Sequence, residues 1–111
     1  MALDEDLANR IRELIGARPD VEEKRMFGGL AFLVDGHLAV AASGRGGLMV
    51  RVEPDDTPAL LRRAHVGPFE MRGKELTGWV RVDDDGIRTK RQLGAWVQRG
   101  VASARSLPPK R

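Results

Sequence analysis

The chain has 111 residues, no cysteine and a formal net charge of +3. That length suits one domain that buries about two-thirds of its unfolded surface in a single modest core, and the missing cysteines exclude disulfides and thiolate metal sites. The start is acidic and amphipathic where a signal peptide is basic and then apolar, and no apolar run approaches the length of a bilayer span, so a soluble, cytoplasmic protein is expected.

In chain order, Leu3, Leu7, Ile11, Leu14 and Ile15 fall at helical spacing, with Asp4 placed to cap the start and Gly16 near the end. From Lys24 to Glu53 the pattern changes to short runs rich in Val, Leu and Phe. The hairpin signals "DGH" at 35–37 and "SGRGG" at 43–47 divide them into three antiparallel strands. "DDTPALLRRAH" predicts a short second helix with Thr57 as N-cap and Pro58 at the first helical position. "PFEM" and "WVRVD", joined by "RGKELTG", predict a second strand pair. Leu93, Trp96, Val97, Val101 and Ala104 then mark one face of a long last helix, stopped by the prolines of "SLPPKR".

The order α-β-β-β-α-β-β-α implies an α+β domain over 1–105, with a single antiparallel five-stranded sheet and helices packed on it, followed by a short basic tail at 106–111. Within "KRMFGGLAF" at 24–32, Gly28 and Gly29 sit behind the basic Arg25 and the bulky Met26 and Phe27. A phosphate-binding glycine loop requires a strand, then glycines, then a helix whose amides face the anion. Here another strand follows, so the pair is read as a bulge or close backbone approach within the first strand. "GRGG" at 44–47 joins two strands and is read as a hairpin turn, with Arg45 at its tip free to meet a partner.

Charge is divided by position. All 16 acidic residues precede Gly86, and from there onward the chain carries Arg88, Lys90, Arg91, Arg99, Arg105, Lys110 and Arg111 with no acid. On an ideal helix Arg88, Arg91 and Arg99 share an arc of about 80 degrees opposite the apolar stripe, a candidate site for an anionic partner. Other chemistry is sparse. "DDDG" at 83–86 begins like a calcium loop, but the twelfth position from Asp83 is Gly94 where a bidentate acid belongs, so a turn capping the last helix is expected. His37 and His65 without cysteine make a poor zinc site, and nothing nominates a nucleophile or general base. No catalysis, metal or cofactor is therefore expected.

"KRMFGGLAFLVDGHLAVAA", "LMVRV", "PFEMRGKELTGWVRV" and "LGAWVQRGVASARSLPPK" together resemble the N-terminal domain of the TfoX/Sxy family of bacterial competence regulators, in order and over nearly the whole chain. The resemblance implies a secretion-chaperone-like α+β fold, with Arg25, Met26, Phe27, Gly28, Gly29, Gly78, Trp79 and Trp96 in its motifs, and a role in transcription regulation through protein partners. The best-known family members pair this domain with a helical C-terminal domain and act with the cyclic-AMP receptor protein; the resemblance here is to the N-terminal domain standing alone. "GKEL" at 73–76 departs from the family's Gly-Arg-Pro followed by an apolar residue.

Two function classes follow. The first is a non-enzymatic protein-interaction module. The first strand is apolar on both alternating sets, with Met26, Leu30, Phe32 and Val34 on one and Phe27, Ala31 and Leu33 on the other, so helices on one side alone leave an apolar face for a homodimer or another protein. The second is nucleic-acid binding by the basic last helix, with salt dependence as its signature. Trp79 and Trp96 are both expected in the core.

Overall fold

The structure, a computed structural model, describes residues 5–16, 18–26, 28–43, 46–71 and 73–108. Leu3, Asp4, Phe27 and Arg45, singled out above, lie outside the described residues, as do the last three of the tail. The described residues form helix α1 (Glu5–Ile15), strands β1 (Val21–Met26), β2 (Gly29–Val34), β3 (His37–Ala42) and β4 (Leu48–Arg51), and a short helix α2 (Thr57–Leu60). Strands β5 (Val66–Met71) and β6 (Lys74–Val82) and helix α3 (Lys90–Arg105) complete them.

The strands make one antiparallel sheet in the order β1-β2-β3-β4-β6-β5. It has six strands where the pattern predicts five. The extra one comes from splitting the predicted first strand. Met26 pairs with Gly29, and Gly28 stands at φ +74, so the glycine pair belongs to a hairpin turn. A Cβ built on Gly28 meets nothing within 4 Å. The glycine is therefore required by its left-handed backbone, and the close-approach reading is corrected. The charged run "VEEKR" conceals a strand because an edge strand carries charge to prevent further pairing.

All three helices lie against one face. Leu7, Ala8, Ile11 and Ile15 of α1, Leu60 of α2, and Leu93, Trp96 and Val97 of α3 are buried with Leu30, Phe32, Val40, Val50, Val80 and Val82 of the sheet. These apolar positions recur at helical spacing in α1 and α3 and at every second residue in the strands, which turns one side of each element toward the common core. Helix α3 crosses the sheet closely at Gly100, where a Cβ would stand 2.6 Å from the Ala39 carbonyl oxygen and 2.7 Å from Val40 Cγ1.

Local capping differs from expectation at two places. Thr57 has helical backbone angles and is buried. Its hydroxyl donates to the Glu53 carbonyl at 3.2 Å and accepts from the Gly78 amide at 3.1 Å, tying the start of α2 to β6. The cap of α3 is Thr89, not the acidic turn. Thr89 Oγ1 accepts from the Gln92 amide at 3.0 Å and Gln92 Oε1 accepts from the Thr89 amide at 2.9 Å, a reciprocal box that satisfies two free amides. The acids fold instead into a 3-10 turn, Asp84–Ile87, in which Asp83 accepts from the Gly86 amide.

Candidate functional site

Strand residues alternate between faces, so the sheet that buries Phe32 and Val80 under the helices presents a second set on its other side. Ala31, Ala41 and Met49 form the middle of that open face, and Met26, Leu33, Leu38, Phe69 and Trp79 surround them, each only partly buried. Ala31 pairs with Ala41, Ala41 with Met49 and Met49 with Arg81, so this row crosses four strands in register. Two alanines among longer neighbours leave a shallow floor between apolar walls. Met26 belongs to this face together with Ala31 and Leu33, contrary to the simple alternation, because the turn at Gly28 resets the count.

The pattern predicts both tryptophans in the core; Trp79 is partly exposed on the open face, while Trp96 of α3 is 5% exposed in the core between helices and sheet. Gly78 explains the placement. At φ +92 it interrupts β6, its carbonyl accepts from the Val52 amide at 2.9 Å, and the strand resumes with Trp79 on the open side and Val80 on the covered one. The Arg51 guanidinium lies 4.4 Å from the Trp79 ring centre and its Nε donates to the Leu38 carbonyl at 2.6 Å. Burial holds the Arg51 pKa below its ordinary value. Arg81 donates from Nη2 to the Gly46 carbonyl at 2.8 Å. Among the described residues neither arginine has a carboxylate at ion-pair distance.

The edges of the sheet are poor places to add a strand. Edge β1 exposes Glu22, Glu23, Lys24 and Arg25, and edge β5 carries Pro68, which has no amide to donate. Arg25, one of the motif residues, is an exposed edge charge. Association through this sheet is therefore directed to its face.

The predicted basic cluster is not assembled as one helical surface. Arg88 precedes the Thr89 cap and pairs with Asp85. Arg99 stands 3.8 Å from Asp56 and 5.9 Å from the Trp96 ring, whereas Arg91 is exposed with no ion pair among the described residues. Two of the three cations thus have acidic neighbours from the earlier part of the chain. The fold also brings His65, Asp83 and Asp85 together, with His65 Nδ1 3.2 Å from Asp83 Oδ1. Hydrogen bonds within the turn and the Arg88 pair account for that exposed group.

Leu38, Ala41, Met49, Arg51, Phe69 and Arg81 were not among the sequence candidates. Their signal is the second alternating set in "LMVR", "PFEM" and "GWVRV", legible once the covered set is known, whereas Leu38 and Ala41 share the face only through the register shift opposite Phe32 and Leu33. Residues 13–104 match the family model of the TfoX N-terminal domain. The chain belongs to that family. The match spans the strands that build the open face and all but the last residue of α3. Comparison with curated proteins gives no match. No described helix is long and apolar enough to cross a membrane.

Proposed function

We propose that this TfoX N-terminal domain is a non-catalytic, regulatory protein-interaction module whose working surface is the open face of its sheet. The observation that carries the reading is the contiguous apolar set around Ala31, Ala41 and Met49 on the side opposite the helices. Partly exposed leucines, two aromatic rings and methionines gathered on one surface and bordered by arginines have the composition of an interface centre with its rim. At the middle of that face the groups offered are apolar or guanidinium, and such groups bind without exchanging protons near neutral pH. The alternative, nucleic-acid binding by the basic helix, is weakened by the acidic neighbours of Arg88 and Arg99.

The test uses a double variant, Leu33→Ser with Leu38→Ser, both half-exposed and outside the core beneath the helices. Wild type and variant are compared by chemical cross-linking in nuclease-treated native extract, with circular dichroism to verify folding. The wild type is expected to give discrete protein adducts that the folded variant loses. Equal adducts from both would refute the reading.

A further inference from the structure

We propose that the open face takes an amphipathic segment of another protein, with apolar side chains on the alanine floor and carboxylates directed to Arg51 and Arg81. This rests on the reading of the face as a protein-interaction surface and names the chemistry of its partner.

The argument begins with charge. Cross-strand partners share a side of the sheet, and Lys24 pairs with Ala31, Glu22 with Leu33, Arg51 with Trp79 and Arg81 with Met49. The rim of the open face therefore bears three cations against Glu22 among these register partners. Arg51 and Arg81 each spend a donor on a backbone carbonyl. A guanidinium has five N–H groups in a planar fork, so each retains donors suited to a carboxylate. Both guanidiniums are partly buried and therefore partly stripped of water, which strengthens their attraction for an incoming anion.

The same charges disfavour a second copy. A two-fold pair stacked face to face opposes like surfaces, and strand β4, which carries Arg51, lies next to the middle of the six-stranded order. Such a pair sets a face whose rim carries Lys24, Arg51 and Arg81 against an equally cationic one, where like charges are costly. Single-stranded nucleic acid matches the positive charge but not the surface. Base stacking needs free aromatic faces; the Trp79 ring is covered by Arg51, and beside Phe69 the rest of the wall is aliphatic, Met26, Leu33 and Leu38, around Met49. Flexible methionines beside fixed leucines suit apolar anchors of varied shape. With both sheet edges closed, an occupant lies across the face by its side chains.

A displayed library of amphipathic peptides with a fixed Leu/Met/Phe stripe, and flanks randomised among Glu, Gln and Lys, provides the probe. Selection on the wild type is expected to enrich Glu over Lys, and a selected peptide should bind Arg51→Gln/Arg81→Gln roughly ten-fold or more weakly, the scale of losing charge-assisted hydrogen bonds. Enrichment without Glu preference, or equal affinity for the arginine double variant, overturns the acidic partner. If Leu33→Ser/Leu38→Ser still abolishes binding in that case, the interaction face stands and only its partner chemistry fails. No enrichment relative to the serine variant overturns both. Sedimentation over rising concentration and binding of a single-stranded oligonucleotide complete the test. A dimer, or oligonucleotide binding, that is lost in the serine variant would assign the face to the competing occupant.

Discussion

The two faces of the sheet are built from the same strands and are filled by different rules. Beneath the helices stand Leu30, Phe32, Val40, Val50, Val80 and Val82, none more than 5% exposed. On the other side Ala31 and Ala41 occupy the middle, and the larger side chains stand around them, each partly in water. A face that meets a fixed neighbour can be packed to the density of a crystal. A face that waits for a neighbour keeps small residues at the floor and places its bulk at the margin, so that its apolar area is available without a cavity beneath it. Neighbouring residues of one strand therefore serve different ends: Phe32 holds the fold together, and Leu33 offers contact.

That contrast predicts the largest effect. Phe32→Ala should cost about 3–5 kcal/mol, as for aromatic truncations in cores, whereas Leu33→Ala one residue away should cost less, about 1–2 kcal/mol, because part of its side chain stays in water and its removal leaves no enclosed cavity. Chemical denaturation of both variants checks this. Comparable losses would mean that the open face is structural, and the distinction between the faces would collapse.

The next effect concerns the turn that aligns the faces. Gly28 is the residue that moves Met26 to the open side, and its positive φ, with no neighbour within 4 Å of a built Cβ, separates backbone strain from crowding. Gly28→Ala should destabilise by about 1–2 kcal/mol, the cost of a left-handed L-residue, and Gly28→Asn by less, since asparagine tolerates that region. A larger penalty for Gly28→Asn than for Gly28→Ala, following side-chain size, would show that crowding acts there after all.

What the sequence disclosed follows from the same contrast. The helices, the later hairpins and the covered set were legible because burial against a partner within the chain enforces periodicity. The strand Val21–Met26 was not, since an edge strand is written in charge rather than in apolar alternation. The open face was half legible: apolarity on both sets of the first strand signalled a second surface, but its members on β4, β5 and β6 are distant in sequence and meet only through the strand order. Trp79 was misplaced because a tryptophan after a glycine reads alike in a core strand and at an exposed bulge. The basic cluster is less free than its spacing suggests: Asp85 stands three residues before Arg88 and pairs with it, and Asp56 approaches Arg99 only in the folded chain.

The tryptophans give a spectroscopic measure of the same difference without altering stability. Iodide should quench the part of the emission that comes from Trp79 and leave the part from Trp96, which is 5% exposed beneath Arg63 and Arg99. A Trp79→Phe variant should retain a blue-shifted, poorly quenched emission. A bound partner on the open face should protect the accessible fraction in the wild type. Uniform quenching in the absence of partner would place both rings in one environment and contradict the two-face description.

The smallest effect lies at the rim of the covered face, where Arg12 of α1 grips Glu23 of edge strand β1 through Nε and Nη2, both at 2.8 Å. The hydrogen bonds from Arg12 hold the Glu23 carboxyl below its ordinary pKa. A lowered folded-state pKa means that the unfolded chain takes up the proton first on acidification. The contribution is therefore complete above the unfolded pKa of about 4.3 and disappears as pH falls through the lower folded value. Both side chains remain substantially in water, so solvent screening keeps the contribution small. Glu23→Gln should lower the melting temperature slightly at neutral pH, leave it nearly equal to wild type in strong acid, and flatten the pH dependence between. High salt should narrow the neutral-pH gap. The same substitution should leave peptide binding on the open face unchanged, because Glu23 is adjacent in sequence to Glu22 and Lys24 but points to the opposite side of the sheet; a change in affinity would show that the two faces are coupled through the edge strand.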